Sequence, residues 1–185
     1  MRAAPAWSWA VGRRRLGGRV VVVDADRSYE ECRFVSPSLH LVKITPENVD
    51  AVCRLRVGPG QERFVDPVVT SLAEAYAYGE VAWPRAIRDG ERLVGFVMAG
   101  FDPANTVEPY RSYLWRLNIA ADQQRRGYGS FAVAAVCAEA RRRGERRLWV
   151  SWGPGDGGPE PFYARLGFRV TGEVVDGEIV AEREL

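Results

Sequence analysis

The chain has 185 residues, enough for one domain with a sizeable core and an appended segment. Hydrophobic residues make up 46% and charged residues 27%, and a formal net charge of +2 gives no pointer to nucleic acid or a membrane surface. No apolar run approaches the roughly 18 residues of a membrane span, and Lys43 is the only lysine, a bias assigned to coding rather than function.

Cys32, Cys53 and Cys137 are scattered without metal-ligand spacing, and an odd count offers no disulfide framework. A cytoplasmic location is therefore expected. The single histidine, His40, argues against a His-based zinc site or a Ser-His-Asp triad, and no metal is expected.

Residues 1–37 read as a poorly ordered or accessory N-terminal extension. They carry the basic, glycine-rich patch Arg13-Arg14-Arg15-Leu16-Gly17-Gly18, followed by Val20-Val21-Val22-Val23. A targeting segment, a basic arm and a strand added at a sheet edge all remain open for this stretch.

Regular patterning begins at Leu39, and residues 38–185 are expected to form the functional domain. Leu39, Leu41 and Ile44 mark a first strand. Thr45-Pro46 predicts a helix start, with threonine as N-cap and Val49, Val52 and Cys53 as the apolar face. Asp66-Pro67 repeats the device before a second helix lined by Val69, Leu72, Ala73 and Tyr76. Strands from Ala82 to Arg88 and from Leu93 to Phe101 are joined at Asp89-Gly90, a strong hairpin signal.

The next strand, Tyr113 to Ile119, places Tyr113, Trp115, Leu117 and Ile119 on one face and Leu114, Arg116 and Asn118 on the other. A long helix follows, with Phe131, Ala134, Ala135 and Ala138 at helical spacing, three closing arginines and Gly144 as a stop. Arg147 to Trp152 is a further strand, Pro159 to Leu166 a short helix, and Phe168 to Thr171 with Glu178 to Glu184 a hairpin turning at Asp176-Gly177.

Between strand and long helix lies Gln124-Arg125-Arg126-Gly127-Tyr128-Gly129-Ser130. Backbone N–H groups at a helix start have no intrahelical partner, and the macrodipole adds about half a positive charge there. The glycines allow close backbone approach and the arginines add cationic heads, so the loop suits a pyrophosphate. Gly127-x-Gly129-x-x-Ala132 also fits a dinucleotide fingerprint, but Glu145 precedes the next strand instead of ending it. Too little chain follows for that fold.

Gln124-x-x-Gly127-x-Gly129 resembles the Q/R-x-x-G-x-G/A motif of the GCN5-related N-acetyltransferases, and Phe162-Tyr163-Ala164-Arg165-Leu166-Gly167-Phe168 resembles a second signature of that family. The resemblance implies an α/β fold in the order β-α-α-β-β-β-α-β-α-β-β. It further implies a mostly antiparallel sheet of about seven strands with four helices, and acetyl-CoA as co-substrate. It places the pantetheine arm along the backbone of Leu117, Asn118 and Ile119. The diphosphate falls on Gln124, Arg125, Arg126, Gly127, Tyr128, Gly129 and Ser130, and Tyr163 becomes the acid that protonates departing thiolate.

Relatives often carry an asparagine where this chain has Asp156, and that role is not carried over. Several relatives also place a carboxylate on the fourth strand. None lies between Ser112 and Ile119, so Glu74 and Glu80 are the candidates for the acceptor side.

Ile44-Thr45-Pro46-Glu47-Asn48, Ser71-Leu72-Ala73-Glu74-Ala75-Tyr76, Val94-Gly95-Phe96-Val97-Met98 and the stretch from Gly172 to Val180 resemble bacterial spermine/spermidine acetyltransferases. A small amine, foremost a polyamine, is the implied acceptor. An acidic cleft for it is expected from Asp66, Glu74, Glu80 and Glu108. The alternatives are a protein N-terminus, a lysine or an antibiotic amine as acceptor, or a CoA-binding module without turnover. The assembly is left between a monomer and a homodimer.

Overall fold

The computed structural model describes residues 38–185. The basic patch and the valine run lie outside the described residues. In chain order the elements are β1 (Leu39–Lys43), α1 (Val49–Cys53), α2 (Val68–Tyr78), β2 (Ala82–Asp89), β3 (Arg92–Phe101), β4 (Ser112–Ile119), α3 (Tyr128–Arg142), β5 (Arg147–Trp152), α4 (Glu160–Arg165), β6 (Arg169–Val175) and β7 (Glu178–Glu184). This is the expected order. The strands form one seven-stranded sheet in the spatial order β1-β2-β3-β4-β5-β7-β6.

The sheet is covered on both faces. Ile87, Val97, Ala99 and Phe101 pack toward Ala132, Val133, Val136, Cys137 and Ala140 of α3, together with Tyr163 and Phe168. Ala86, Phe96 and Met98 pack on the opposite side with Val52 of α1 and Val68 of α2. Burial on both faces explains why β3 is an unbroken apolar run instead of an alternating one.

Both helix starts differ from expectation. Thr45 does not cap α1; the Asn48 side chain accepts from the Thr45 N–H at 3.0 Å, and the helix begins at Val49. Pro67 is the N-cap residue of α2, because the Asp66 carboxylate is committed to Arg116 at 2.8 Å.

Two helix faces also differ. In α2, Val68 and Ser71 are buried while Val69 and Tyr76 are exposed. In α3 the inward stripe is Ala132, Val133, Val136, Cys137 and Ala140, and Ala138 faces solvent. Both helices carry small or apolar residues around most of their circumference. Tertiary partners, not period alone, set their rotation.

Among the described residues every ladder but one is antiparallel. β4 and β5 run parallel and pair only through Tyr113 with Trp149 and Leu114 with Val150. Beyond Leu114 the two strands part. A bulge marks the place: Ala99 opposes Leu114 and Met98 opposes Arg116, leaving Trp115 without a partner in β3. A bulge sharpens local twist and bends its strand.

The bulge also breaks the expected alternation of β4. Leu114, Leu117 and Ile119 all pack on the α3 side, whereas Trp115, Arg116 and Asn118 turn toward α2 and the chain before it.

Candidate active site

The open end of the β4–β5 split is lined on one side by the β4 backbone from Trp115 to Ile119, which has no ladder partner in β5. Leu117, Asn118 and Ile119 pair with β3 on their other edge only. Main-chain polar groups left open along a strand edge are a template for an extended ligand. Ile119 leads through a single turn of 3-10 helix at Ala121–Gln123 into the loop that opens α3.

That loop bends sharply. Arg125 has φ of 62° and Gly127, the residue before α3, has φ of 86°. A left-handed Gly127 is the conformation that lets the chain reverse into the helix. No side chain caps α3, so the N–H groups of its first turn stay available. Arg125 and Arg126 are exposed beside them.

Gly129 sits where a Cβ would lie 3.1 Å from the Phe162 ring, so its absence lets α4 close on the first turn of α3. Gln124 donates to the Ile119 carbonyl at 3.2 Å and to Gln61 at 2.7 Å. Tyr128 is buried and donates to Asp89 at 2.9 Å, which ties the loop to the β2–β3 turn and pushes the phenol pKa up. Ser130 lies within the first turn of α3, partly exposed.

Tyr163 stands at the far side of the split. Its ring stacks on Trp152, the last residue of β5, at 5.5 Å and 20°, with Phe162 and Phe168 edge-on. Burial raises its pKa well above the ordinary phenol range. It stays a protonated donor throughout neutral pH.

The α2 side of β4 holds a cluster that the sequence did not announce. The bulge turns Arg116 inward, where its guanidinium meets Asp66 at 2.8 Å and Glu74 at 3.3 Å. Glu74 and Arg116 are largely buried. Desolvation raises the Glu74 pKa, the Arg116 charge opposes the shift, and Asp66 adds to it. Tyr78 packs edge-on against Trp115 at 4.9 Å, giving the cluster an aromatic wall. Asn118 donates to the Asp66 carbonyl at 3.1 Å.

The expected acidic cleft is not assembled. Asp66 and Glu74 share one guanidinium, Glu80 is exposed in the turn after α2, and Glu108 pairs with Arg147 at the closed end of the split. The charged residue of β4 is an arginine, not the carboxylate that several relatives place on that strand. Its signal was that it is the one charged residue of the strand, whose other non-aromatic polar residues are Ser112 and Asn118.

Among the described residues the sheet is mixed, and its one parallel pair splays open beside a glycine-led helix start. The acetyltransferase (GNAT) family model matches residues 49–168, and the chain belongs to that family. It is an acetyl-CoA-dependent acyltransferase.

Solved structures agree in fold. An acetyltransferase from Thermus thermophilus superimposes with a TM-score of 0.66 at 22% identity, covering 81% of this chain and 99% of that one. The PaiA N-acetyltransferase from Thermoplasma acidophilum, solved with coenzyme A, gives 0.61 at 10% identity, covering 80% and 99%. A GNAT family acetyltransferase from Elizabethkingia anophelis, solved with acetyl-CoA, gives 0.58 at 14%, covering 80% and 99%. No curated protein sequence matches the chain. Among the described residues no helix is long and apolar enough to cross a membrane, and no group of His, Cys, Asp or Glu is arranged to hold a metal.

Proposed function

We propose that the protein transfers the acetyl group of acetyl-CoA directly to the primary amine of a small molecule held between α2 and β4. One observation carries the reading: an unpaired β4 edge runs straight into an uncapped, arginine-flanked helix start. The residues suit the cofactor. The open edge from Leu117 to Ile119 matches the amides of a pantetheine arm, and the loop from Gln124 to Ser130 offers N–H groups and cations to the diphosphate. When bound, the cofactor supplies the activated acetyl group as a thioester.

The protein's own groups handle the protons. Tyr163 is the donor to the leaving sulfur, its hydroxyl kept protonated by burial. Glu74 is the base that takes a proton from the acceptor ammonium, directly or through water, and its raised pKa strengthens it as a base. Arg116 holds the carboxylate in place and limits how far that pKa rises. Direct transfer is favoured because, among the described residues, neither cysteine lies on the strands of the split: Cys53 ends α1, and Cys137 is buried in α3 with its thiol pKa pushed up by desolvation.

For the acceptor, two carboxylates sharing one guanidinium carry a formal charge of about one negative, and they are bordered by Tyr78 and by Trp115, whose ring lies 5.7 Å from the Arg116 guanidinium. This supports a small cationic amine, and a short polyamine end better than a polycation spread over many acids. Incubation with acetyl-CoA and an amine panel of spermidine, spermine, a monoamine, a lysine peptide and an aminoglycoside, following free thiol, tests the reading. Thiol release with small amines is expected. Release only with the peptide would replace the acceptor class, and no release with any amine would leave a binding module.

A further inference from the structure

We infer that Gln61, Arg63 and Phe64, which belong to no recognised motif, are positioning residues for the cofactor and form the closing wall of its channel. The inference rests on the placement of the cofactor arm in the β4–β5 split and goes beyond it by assigning the segment between α1 and α2.

That segment touches both lips of the split. On the β4 side, the Ala121 N–H donates to the Arg56 carbonyl at 2.9 Å, and Gln61 and Gln124 exchange two amide hydrogen bonds of 2.7 and 3.3 Å. Gln61 also accepts from the Gly58 N–H at 3.0 Å, so its amide is oriented from two directions. On the β5 side, Arg63 donates to the Asp156 carbonyl and lies over the Phe64 ring at 4.7 Å. The Phe64 ring rests against glycine: a Cβ added at Gly158 or Gly155 would lie 3.5 or 3.7 Å from it. The segment ends where Asp66 meets Arg116 and Asn118.

The consequence is geometric. Two strands that part after Leu114 make an open V, and a bridge across the open end makes a closed window. An arm lying in the V would then be enclosed by β4, β5 and the bridge, which would exclude water from it and obstruct its escape. The amide pair also occupies the side chain of Gln124, so Gln61 sets the entry into the diphosphate loop. Asp156, an odd residue beside an anionic cofactor, contributes its carbonyl to the wall.

Calorimetry with CoA, stopped-flow dissociation of CoA and steady-state kinetics on Gln61→Ala, Phe64→Ala and the double variant test the wall. The double variant is expected to bind CoA about tenfold more weakly, chiefly through faster dissociation. KM for acetyl-CoA should rise with kcat held within about twofold. Phe64→Leu, which keeps an apolar group on the glycines, should restore most of the affinity. Dissociation as slow as in the unmodified protein would overturn the wall.

Arg125→Ala with Arg126→Ala separates the two readings. If that pair leaves CoA affinity unchanged, the placement itself fails; if it weakens binding while the wall variants do not, only the wall fails. Should the double wall variant not fold, Gln61→Ala alone carries the same dissociation test.

Discussion

At the scale of single residues, the proposed chemistry divides between a phenol and a carboxylate whose burial pushes both pKa values up, with opposite uses. A raised phenol pKa preserves the donor form, so Tyr163 should titrate outside the working range. Tyr163→Phe should lower kcat by about 10²-fold or more, the scale of a lost general acid, while CoA binding by calorimetry stays the same. Equal turnover in that variant would remove Tyr163 from the mechanism.

A raised carboxylate pKa moves the protonated, inactive form of Glu74 toward neutral pH. Activity should therefore fall on the acid side at a pH above the ordinary glutamate value, and Glu74→Gln should abolish that limb along with most of the rate. The acceptor's own titration, near 10.4 for an alkyl amine, lies well above and persists in both proteins. A pH–rate profile with the same acid limb in the variant would exclude Glu74.

At the scale of elements, β4 does most to shape the site, and β3 limits how it can sit. A Cβ on Gly95 would fall 2.7 Å from the Asn118 carbonyl and 2.9 Å from Ile119, so the glycine allows β3 and β4 their close approach behind the open β4 edge. Backbone cannot yield as a side-chain tip does. Gly95→Ala should cost about 1–3 kcal/mol in urea denaturation, the range for overpacking, and weaken CoA binding as well. A neutral outcome on both measurements would show that β4 adjusts freely.

The last turn of α3 supplies a second case. Glu139 is buried beneath Arg142 and Arg143. Burial opposes its ionisation, but hydrogen bonds from the two arginines prevail and hold its pKa below the usual value. A depressed carboxylate pKa stabilises the fold above the unfolded-state value, and that contribution is lost as pH falls through the folded one. With the arginines partly exposed, Glu139→Gln should destabilise by only about 1 kcal/mol at pH 7. The difference from the parent should shrink toward pH 3 in denaturant titrations.

At the scale of the whole molecule, the split is a built-in gap in an otherwise continuous sheet, and a ligand filling it should act as a missing strand. Saturation at about 100 times Kd adds roughly 2.7 kcal/mol to the folded state by mass action. CoA should therefore raise Tm by several degrees, and Arg125→Ala with Arg126→Ala should blunt the rise. A melting curve indifferent to CoA would contradict the placement.

Element order and kind were legible in the chain because they depend on local signals: turn glycines at Gly90 and Gly177, the proline at Pro67, and strand runs bounded by both. The Gln124–Gly129 motif was equally legible, since a helix start needs only its neighbours to leave N–H groups free. Helix rotation, the bulge at Trp115 and the Arg116–Asp66–Glu74 cluster were not. Nothing within α2 or α3 decides which of several apolar faces turns inward, and a bulge exists only relative to the strand across from it. The bridge from Gln61 to Gln124 joins residues 63 positions apart. Local stereochemistry thus determined the parts and the loop that opens α3, while pairing between distant strands decided where β4 and β5 separate and which charges meet beside the gap.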